Sequence, residues 1–222
     1  MSNKNEEKEL KVILLGECGV GKTNIILRFL KDEFDEDSIT TTGSSYIMKI
    51  INKDNITYRL NIWDTAGQEK YRSLTKMFLQ DASIIILVYS VTDEESFNYL
   101  DYWYKTIIDN CSSDVVIAVA GNKYDLYYEE RVNEEKAEKF AKDKNAIFKL
   151  ISAKDNKPGI DELFDIVLDE YIKKSSNNNN NNNRREKSGS IKIKTEKKNE
   201  EKQKKKNVVN HYLIIKINKK II

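Results

Sequence analysis

Short apolar runs alternate with longer amphipathic segments along most of this chain. The apolar runs are rich in β-branched residues and predict strands at Lys11–Leu15, Tyr46–Ile51, Thr57–Trp63, Ile84–Tyr89, Val115–Ala120 and Ile147–Ile151. The segments between them predict helices at Lys22–Leu30, Leu74–Leu79, Glu94–Asp109, Glu134–Lys142 and Ile160–Ile172. Thr92 and Glu95 have the spacing of a capping box in front of the third helix.

This order of elements predicts an α/β fold, with a six-stranded, mainly parallel sheet covered by helices on both faces. The polar turn Asn52–Asn55 separates two strands closely enough for a hairpin, so one edge strand should be antiparallel. Ligands of such sheets bind at the carboxyl ends of the strands. The motifs described below fall at those ends.

Composition divides the chain into a globule and a tail. The pattern of a folded domain covers residues 8–174, after a flexible N-terminus at residues 1–7. Residues 175–222 are a low-complexity basic tail, which we expect to be disordered because it has too little apolar surface to offset the entropy of ordering. After residue 183, 14 Lys and Arg residues stand against 4 Asp and Glu residues. This excess of positive charge suggests an anionic partner for the tail, either a membrane surface or nucleic acid. Of the two, an anionic membrane surface is the possible partner, and no nucleic acid is expected.

The two cysteines, Cys18 and Cys111, provide neither a disulfide framework nor the spacing of a metal site. A reducing compartment is the natural setting for such a chain. The charged N-terminus lacks the apolar segment of a signal peptide, and no apolar run reaches the ~18 residues that a membrane span needs. These features predict a cytoplasmic protein.

The segment Gly16–Thr23, GECGVGKT, fits the phosphate-binding pattern G-x-x-x-x-G-K-[ST] between a strand and a helix. Glycines let backbone N–H groups surround phosphate oxygens at a helix N-terminus. Lys22 would reach the β- and γ-phosphates, and the Thr23 hydroxyl would bind Mg²⁺. The predicted phosphate contacts are Gly16, Gly19, Val20, Gly21, Lys22, Thr23 and Asn24.

The second motif, WDTAGQE, follows a predicted strand. Asp64 is placed to hold Mg²⁺ through water, Gly67 to bring its N–H group to a γ-phosphate, and Gln68 to orient an attacking water. In isolation an aspartate at a strand end is more often a turn cap, but its place beside a phosphate loop favours the catalytic interpretation. Gln68 and Lys22 are the predicted catalytic residues.

The third motif, Asn122–Lys123–Tyr124–Asp125, also follows a strand. The Asp125 carboxylate can accept two hydrogen bonds from guanine, a donor pair that adenine lacks, and such sites can reject analogues by ~10⁴-fold. The fourth motif, Ser152–Ala153–Lys154, could supply a backbone N–H group to guanine O6 and a side-chain stem that covers the base. Each motif alone is compatible with a polar turn; their order and position favour a nucleotide site.

The four motifs together resemble the Ras-like small GTPases, over roughly residues 8–174. The stretches RLNIWDTAGQEKYRSLT, VYSVTDEESF, GNKYDL and SAKDNKPGIDELF resemble the Rab branch. The resemblance implies a monomeric switch in vesicle traffic that binds GTP or GDP with Mg²⁺ and hydrolyses GTP slowly without an activating protein. It also implies a guanine nucleotide exchange factor, a GTPase-activating protein and effectors as partners.

The resemblance assigns further residues. Thr41 matches a threonine that binds Mg²⁺ only in the GTP state, and Phe34 matches an aromatic that packs against guanine. Tyr46, Trp63 and Phe78 match an exposed aromatic triad with which Rab proteins recognise effectors. Effectors would contact Thr41–Tyr46, Trp63 and Gln68–Phe78.

Several positions depart from the family pattern. Cys18 stands where Ras has glycine and Rab proteins often have serine, and we expect hydrolysis to survive because cysteine is small. The alternative function is a GTP-binding module with little hydrolysis that acts as a scaffold; an ATPase or kinase is disfavoured by Asp125. Changes at Thr42, Ser44–Ser45 and Lys76–Asp81 leave the identity of the effectors open.

The C-terminus is the largest departure. Rab proteins end in prenylated cysteines, whereas this chain has no cysteine after Cys111. A peripheral location on the cytosolic face of endomembranes would then depend on the basic tail, and stable anchoring normally takes two signals. The alternative is that residues 207–222 come from a mis-assigned gene end.

Overall fold

The structure, a computed structural model, describes residues 6–37, 41, 45–65 and 72–186. Within these residues the strands are β1 Glu6–Leu15, β2 Ser45–Lys53, β3 Ile56–Asp64, β4 Ile84–Ser90, β5 Val116–Asn122 and β6 Ile147–Leu150. The α-helices are α1 Lys22–Lys31, α2 Arg72–Leu79, α3 Glu94–Asn98, α4 Leu100–Asn110, α5 Glu134–Asp143 and α6 Lys157–Glu186, and a 3₁₀ helix covers Tyr124–Glu129.

The six strands form one sheet in the order β2-β3-β1-β4-β5-β6. Every neighbouring pair is parallel except β2 and β3, which are antiparallel. The predicted α/β sheet with one antiparallel edge strand is therefore confirmed. Asp54 and Asn55 form the hairpin turn at φ angles of 52° and 61°, a left-handed conformation that aspartate and asparagine tolerate better than most residues.

Two apolar clusters lie on opposite faces of the sheet. On one face, side chains of β1 and β3 pack against α1 and α6, where the rings of Phe29 and Phe164 stack with centroids 3.6 Å apart. On the other face, residues of β4 and β5 pack against α4 and α5 around the buried Trp103. The central strands β4 and β5 are buried along their whole length. Burial on both faces explains why these strands appear as continuous apolar runs.

Strand β1 begins five residues earlier than the apolar pattern predicts. Its extension pairs in parallel register with β3, from Glu6 opposite Ile56 onward. Because the first residues of β1 are charged and mostly exposed, this extension carries no burial signal. Hydrophobic periodicity detects burial, whereas strand pairing depends on backbone hydrogen bonds.

The predicted helix Glu94–Asp109 is two helices, α3 and α4, which meet at Tyr99. The Tyr99 N–H group lies close to the carbonyls of both Glu95 and Phe97, which tightens the backbone at this point. The capping-box prediction at Thr92 is wrong. The Asp93 side chain caps α3 instead, accepting from the N–H groups of Glu95 and Ser96 at 3.0 and 3.3 Å.

Helix α6 begins at Lys157, three residues before the predicted start, and Asn156 accepts a hydrogen bond from the Gly159 N–H group at 2.8 Å. Pro158 is tolerated in the first turn, where its missing N–H group has no partner to lose. The helix continues to Glu186, beyond the predicted end at Ile172. The division into a domain and a tail at residue 175 stays a prediction.

Among residues 6–37, 41, 45–65 and 72–186, no helix combines the length and the apolar character needed to cross a lipid bilayer.

Replacing Asp93 by alanine should lower the free energy of unfolding by about 1 kcal/mol, because two N–H groups at the start of α3 lose their acceptor. Thr92→Ala is the matched control and should cost less, because the Thr92 hydroxyl contacts Ser90 Oγ rather than the helix N-terminus. Urea unfolding followed by circular dichroism measures both changes. A larger loss of unfolding free energy in Thr92→Ala than in Asp93→Ala would indicate that Thr92 caps the helix.

Candidate functional site

The loop between β1 and α1 has positive φ at Gly16, Gly19 and Gly21, and at two of these an added side chain would also collide with neighbouring atoms. At Gly16, with φ +152°, an added Cβ would lie 2.1 Å from the carbonyl oxygen of Val88. At Gly21, with φ +94°, it would lie 2.4 Å from Asn122 Nδ2. Gly21 is also the N-cap of α1 and offers no side-chain acceptor, so the N-terminus of this helix is available to an anion.

Lys22 follows at the start of α1 and is 5% exposed. Its ammonium group donates to the carbonyls of Gly16 and Glu17, each at 2.8 Å, and so spans the loop. Burial lowers the pKa of Lys22 to about 8, while the carboxylate of Asp64 is the strongest of the opposing influences. The loop therefore holds a cation beside its backbone N–H groups, as a phosphate site requires.

Three oxygen-bearing side chains meet next to this lysine. The Thr23 hydroxyl donates to Asp64 Oδ2 at 2.8 Å and lies 2.9 Å from the hydroxyl of Thr41. Asp64 is 3% exposed, and its Oδ1 is one of two buried side-chain N or O atoms without a hydrogen-bond partner among the described residues. Burial raises the pKa of Asp64, opposed first by its hydrogen bond with Thr23.

These oxygens fit Mg²⁺, a hard cation that prefers oxygen ligands and is commonly held by one or two carboxylates with hydroxyls and water. A cation next to Asp64 Oδ1 would supply the partner that this atom lacks. Without one, the ionised carboxylate is unfavourable in the fold, as the direction of its pKa shift indicates. The residues predicted to bind the metal, Thr23, Thr41 and Asp64, are therefore brought together.

Asn122 connects the phosphate loop to the loops that follow β5 and β6. Its Nδ2 donates to the Val20 carbonyl at 2.8 Å, and its Oδ1 accepts from the Ala153 N–H group at 3.1 Å. The Ser152 hydroxyl donates to Asp125 Oδ1 at 2.5 Å. The Ala153 N–H group assigned to guanine O6 thus has a protein partner here, and that assignment stays a prediction.

A cavity of about 410 Å³ lies over these groups. Most of the predicted binding residues line it, namely Gly19, Gly21, Lys22, Thr23, Asn24, Phe34, Thr41, Asn122, Lys123, Asp125, Ala153 and Lys154. Four others, Gly16, Val20, Asp64 and Ser152, are not among the lining residues but are bonded to or packed against them. Gly67 and Gln68 lie outside the described residues, so their roles stay predictions.

Some residues of the site received no binding role in the sequence analysis, although Cys18 and Thr65 lie within its motifs. Cys18, Asp35, Glu36, Thr65 and Leu126 also line the cavity. Arg28 of α1 donates to the carbonyls of Ala153 and Lys154. The indole of the buried Trp103 donates to Glu17 Oε1 in the phosphate loop at 3.0 Å. A basic residue in a last helical turn usually only complements the helix dipole, so sequence alone could not assign this role to Arg28.

The predicted aromatic triad is assembled at the edge of the sheet. The ring of Trp63 lies between those of Tyr46 and Phe78, with both centroid distances at 5.3 Å. Tyr46 is 51% exposed, and its hydroxyl donates to Asn61. The effector-reading role assigned to this cluster stays a prediction, and residues 42–44 and 66–71 of the predicted effector surface lie outside the described residues.

Comparison with known proteins adds independent information. A family model described as the Ras family matches residues 11–173. Ras-related protein Rab-22A of Homo sapiens is 42% identical over 157 residues, which cover 71% of this chain and 80% of that protein. The proteins of the same name from Canis lupus familiaris and Mus musculus are 42% and 41% identical over equal shares.

The effect of Asp64→Asn on thermal stability should depend on whether Mg²⁺ is present. In EDTA, Asp64→Asn should melt no lower than the wild type, because the buried charge is gone. With Mg²⁺ and GDP the wild type should gain stability that the variant lacks, about 2.7 kcal/mol at 100 times the dissociation constant. Asp143→Asn, an exposed change on α5, is the control. An equal Mg²⁺-dependent gain in both variants would exclude Asp64 as a metal residue.

The two cysteines should differ in reactivity. Cys18 is exposed, whereas burial raises the pKa of Cys111 to about 11 despite the opposing charge of Lys11. Iodoacetamide at pH 8 should therefore label Cys18 first, and Cys111 labelling should rise about tenfold per pH unit below that pKa. Mass spectrometry of the wild type, Cys18→Ser and Cys111→Ser separates the sites. Equal rates at pH 8 would contradict the partial burial of Cys111.

Proposed function

Since the chain belongs to the Ras family of small GTPases, in its Rab branch, and hydrolyses GTP, we propose that it is a Mg²⁺-dependent switch for intracellular vesicle traffic. Hydrolysis would end a conformation that depends on the γ-phosphate. The observation that carries this proposal is the meeting of Thr41 with Thr23 and Asp64. It couples Thr41, in the segment between α1 and β2, to the place where the metal and terminal phosphate would bind.

The proposed ligands are GTP and GDP. Lys22 and the loop N–H groups would hold the phosphates, and Asp125 with the loop at Ser152 would hold guanine. Thr23, Thr41 and Asp64 would hold Mg²⁺, which supplies neutralisation of charge on the β- and γ-phosphates when bound. This arrangement is supported by the cavity, because each of these residues lines it or is hydrogen-bonded to a residue that does.

The proposed switch works through order and disorder of two loops. Thr41 and Gly67 would be fixed while a γ-phosphate is present and released after hydrolysis. Gln68 would orient the attacking water, and catalysis otherwise consists of positioning and charge stabilisation. An activating protein would supply the missing positive charge, which explains why such a site is slow alone.

Family membership supports an exchange factor, an activating protein and effectors as partners in general terms. We place effector contacts at the aromatic triad and the neighbouring loops. Tyr46, Met48 and Ile50 of the edge strand β2 are each exposed by 44% or more, so this surface could bury apolar area against a partner. The basic tail would add attraction to anionic lipid at the cytosolic face of endomembranes.

Single-turnover hydrolysis of GTP tests the switch. The wild type should hydrolyse slowly and be accelerated on the order of 10³-fold or more by an activating domain that supplies an arginine. Gln68→Leu should abolish this acceleration while leaving nucleotide binding intact. Cys18→Gly should behave like the wild type, because the cysteine side chain is small.

Two outcomes would overturn the proposal. Wild-type protein that holds GTP without hydrolysing it, and regains hydrolysis in Cys18→Gly, would be a binding module. Displacement of labelled GDP by ATP as effectively as by GTP would remove the assigned role of Asp125.

A further inference from the structure

We propose that Asn24 and Arg28 of α1 are positioning residues that set how long guanine nucleotide stays bound. The inference rests on the guanine-nucleotide binding proposed above. Residues four apart project from the same face of a helix. Each of these two holds a different segment of the cavity wall, and the two segments lie at the end of the cavity assigned to the base.

Asn24 holds the segment that follows α1. Its Nδ2 donates to the Asp35 carbonyl at 2.9 Å, and its Oδ1 accepts from the Asp35 N–H group, also at 2.9 Å. Asn24 is 8% exposed and Asp35 is exposed, so this reciprocal pair is partly shielded from water. The residues on either side of Asp35 are Phe34 and Glu36, which line the cavity. Asn24 therefore fixes a non-helical segment at its central residue.

Arg28 holds the loop that follows β6. Its Nε donates to the Ala153 carbonyl at 2.8 Å and its Nη2 to the Lys154 carbonyl at 2.7 Å. Its Nη1 donates to Asp32 Oδ1 at 2.8 Å, which orients the guanidinium from the other side. A planar guanidinium can bind two neighbouring carbonyls at once, and a lysine ammonium cannot reproduce that geometry.

The two held segments meet across the opening of the cavity. Lys154 pairs with Glu36 at 3.1 Å, and its ammonium lies 6.0 Å from the centre of the Phe34 ring. This ion pair is exposed and contributes little by itself. The hydrogen bonds of Asn24 and of Arg28 Nε, which are partly buried, place the segments that carry its two partners. Helix α1 therefore holds both sides of the cavity.

The contacts that carry this inference lie at the base end of the cavity, whereas Thr41 and Asp64 lie at the metal end. Loss of either anchor should therefore speed the release of GDP and GTP by the same factor. A defect at the metal end should instead change the release of GDP and GTP by different factors, because only GTP has a γ-phosphate there. Equal factors therefore distinguish the proposed role from such a defect.

The test measures release of mant-GDP, and of a mant-labelled non-hydrolysable GTP analogue, from the full-length protein in Mg²⁺. Asn24→Ala and Arg28→Met should each raise the release rate on the order of tenfold, because each variant loses the hydrogen bonds that hold one side of the cavity. Arg28→Lys should restore part of the loss. Lys31→Met is the matched control, because it removes a cation from an exposed position on the same helix.

Hydrogen exchange provides a second readout that a general loss of stability would not reproduce. Asn24→Ala should speed exchange at the Asp35 amide and leave residues 152–155 unchanged. Arg28→Met should do the opposite. The acceleration of GDP release by EDTA should be the same factor in both variants as in the wild type, which shows that the metal end is intact.

Release rates within twofold of Lys31→Met would overturn the inference, as would faster release of only one nucleotide or uniform exchange across the domain. These results would leave the proposed function standing, because the wild type would still bind mant-GDP. A wild type that binds no mant-GDP would overturn both.

Discussion

The side chain of Asn122 holds the three loops of the site at fixed distances from one another. Its two polar atoms bond to the phosphate loop at Val20 and to the base loop at Ala153. It also fills the space beside Gly21 so closely that no side chain fits there. The end of β5 thus sets the separation between the groups assigned to phosphate and those assigned to base. A parallel sheet makes this possible, because the carboxyl ends of β1, β5 and β6 lie at one edge.

The order of elements and the main residues of the site could be predicted from the sequence because both leave local signals. Buried strands such as β4 and β5 are continuous apolar runs, and the phosphate loop, Asp64, Asn122 and Asp125 occupy motifs at strand ends. The charged start of β1 has no such signal, because pairing rather than burial defines it. The choice of Asp93 over Thr92 as the helix cap is decided by backbone geometry within one residue, below what spacing can resolve.

Arg28 and Trp103 show a second limit of sequence reasoning. Arg28 contacts residues more than a hundred positions away, and Trp103 contacts Glu17 across 86 positions. Nothing in the local pattern around either residue distinguishes it from an ordinary helix residue. Motifs locate atoms that would touch a ligand, whereas the atoms that hold those motifs in place are distributed over the fold.

Because Trp103 is hydrogen-bonded to the phosphate loop, the intrinsic fluorescence of this protein can report on that loop. The chain has two tryptophans, and they lie at different functional sites: Trp63 in the aromatic triad and Trp103 hydrogen-bonded to the phosphate loop. Indole emission responds to hydrogen bonding and to nearby charge, and Trp63 is partly exposed whereas Trp103 is buried. An external quencher can therefore silence the first and leave the second. In unlabelled protein, the fluorescence of Trp63 would then report on the aromatic triad and the fluorescence of Trp103 on the phosphate loop.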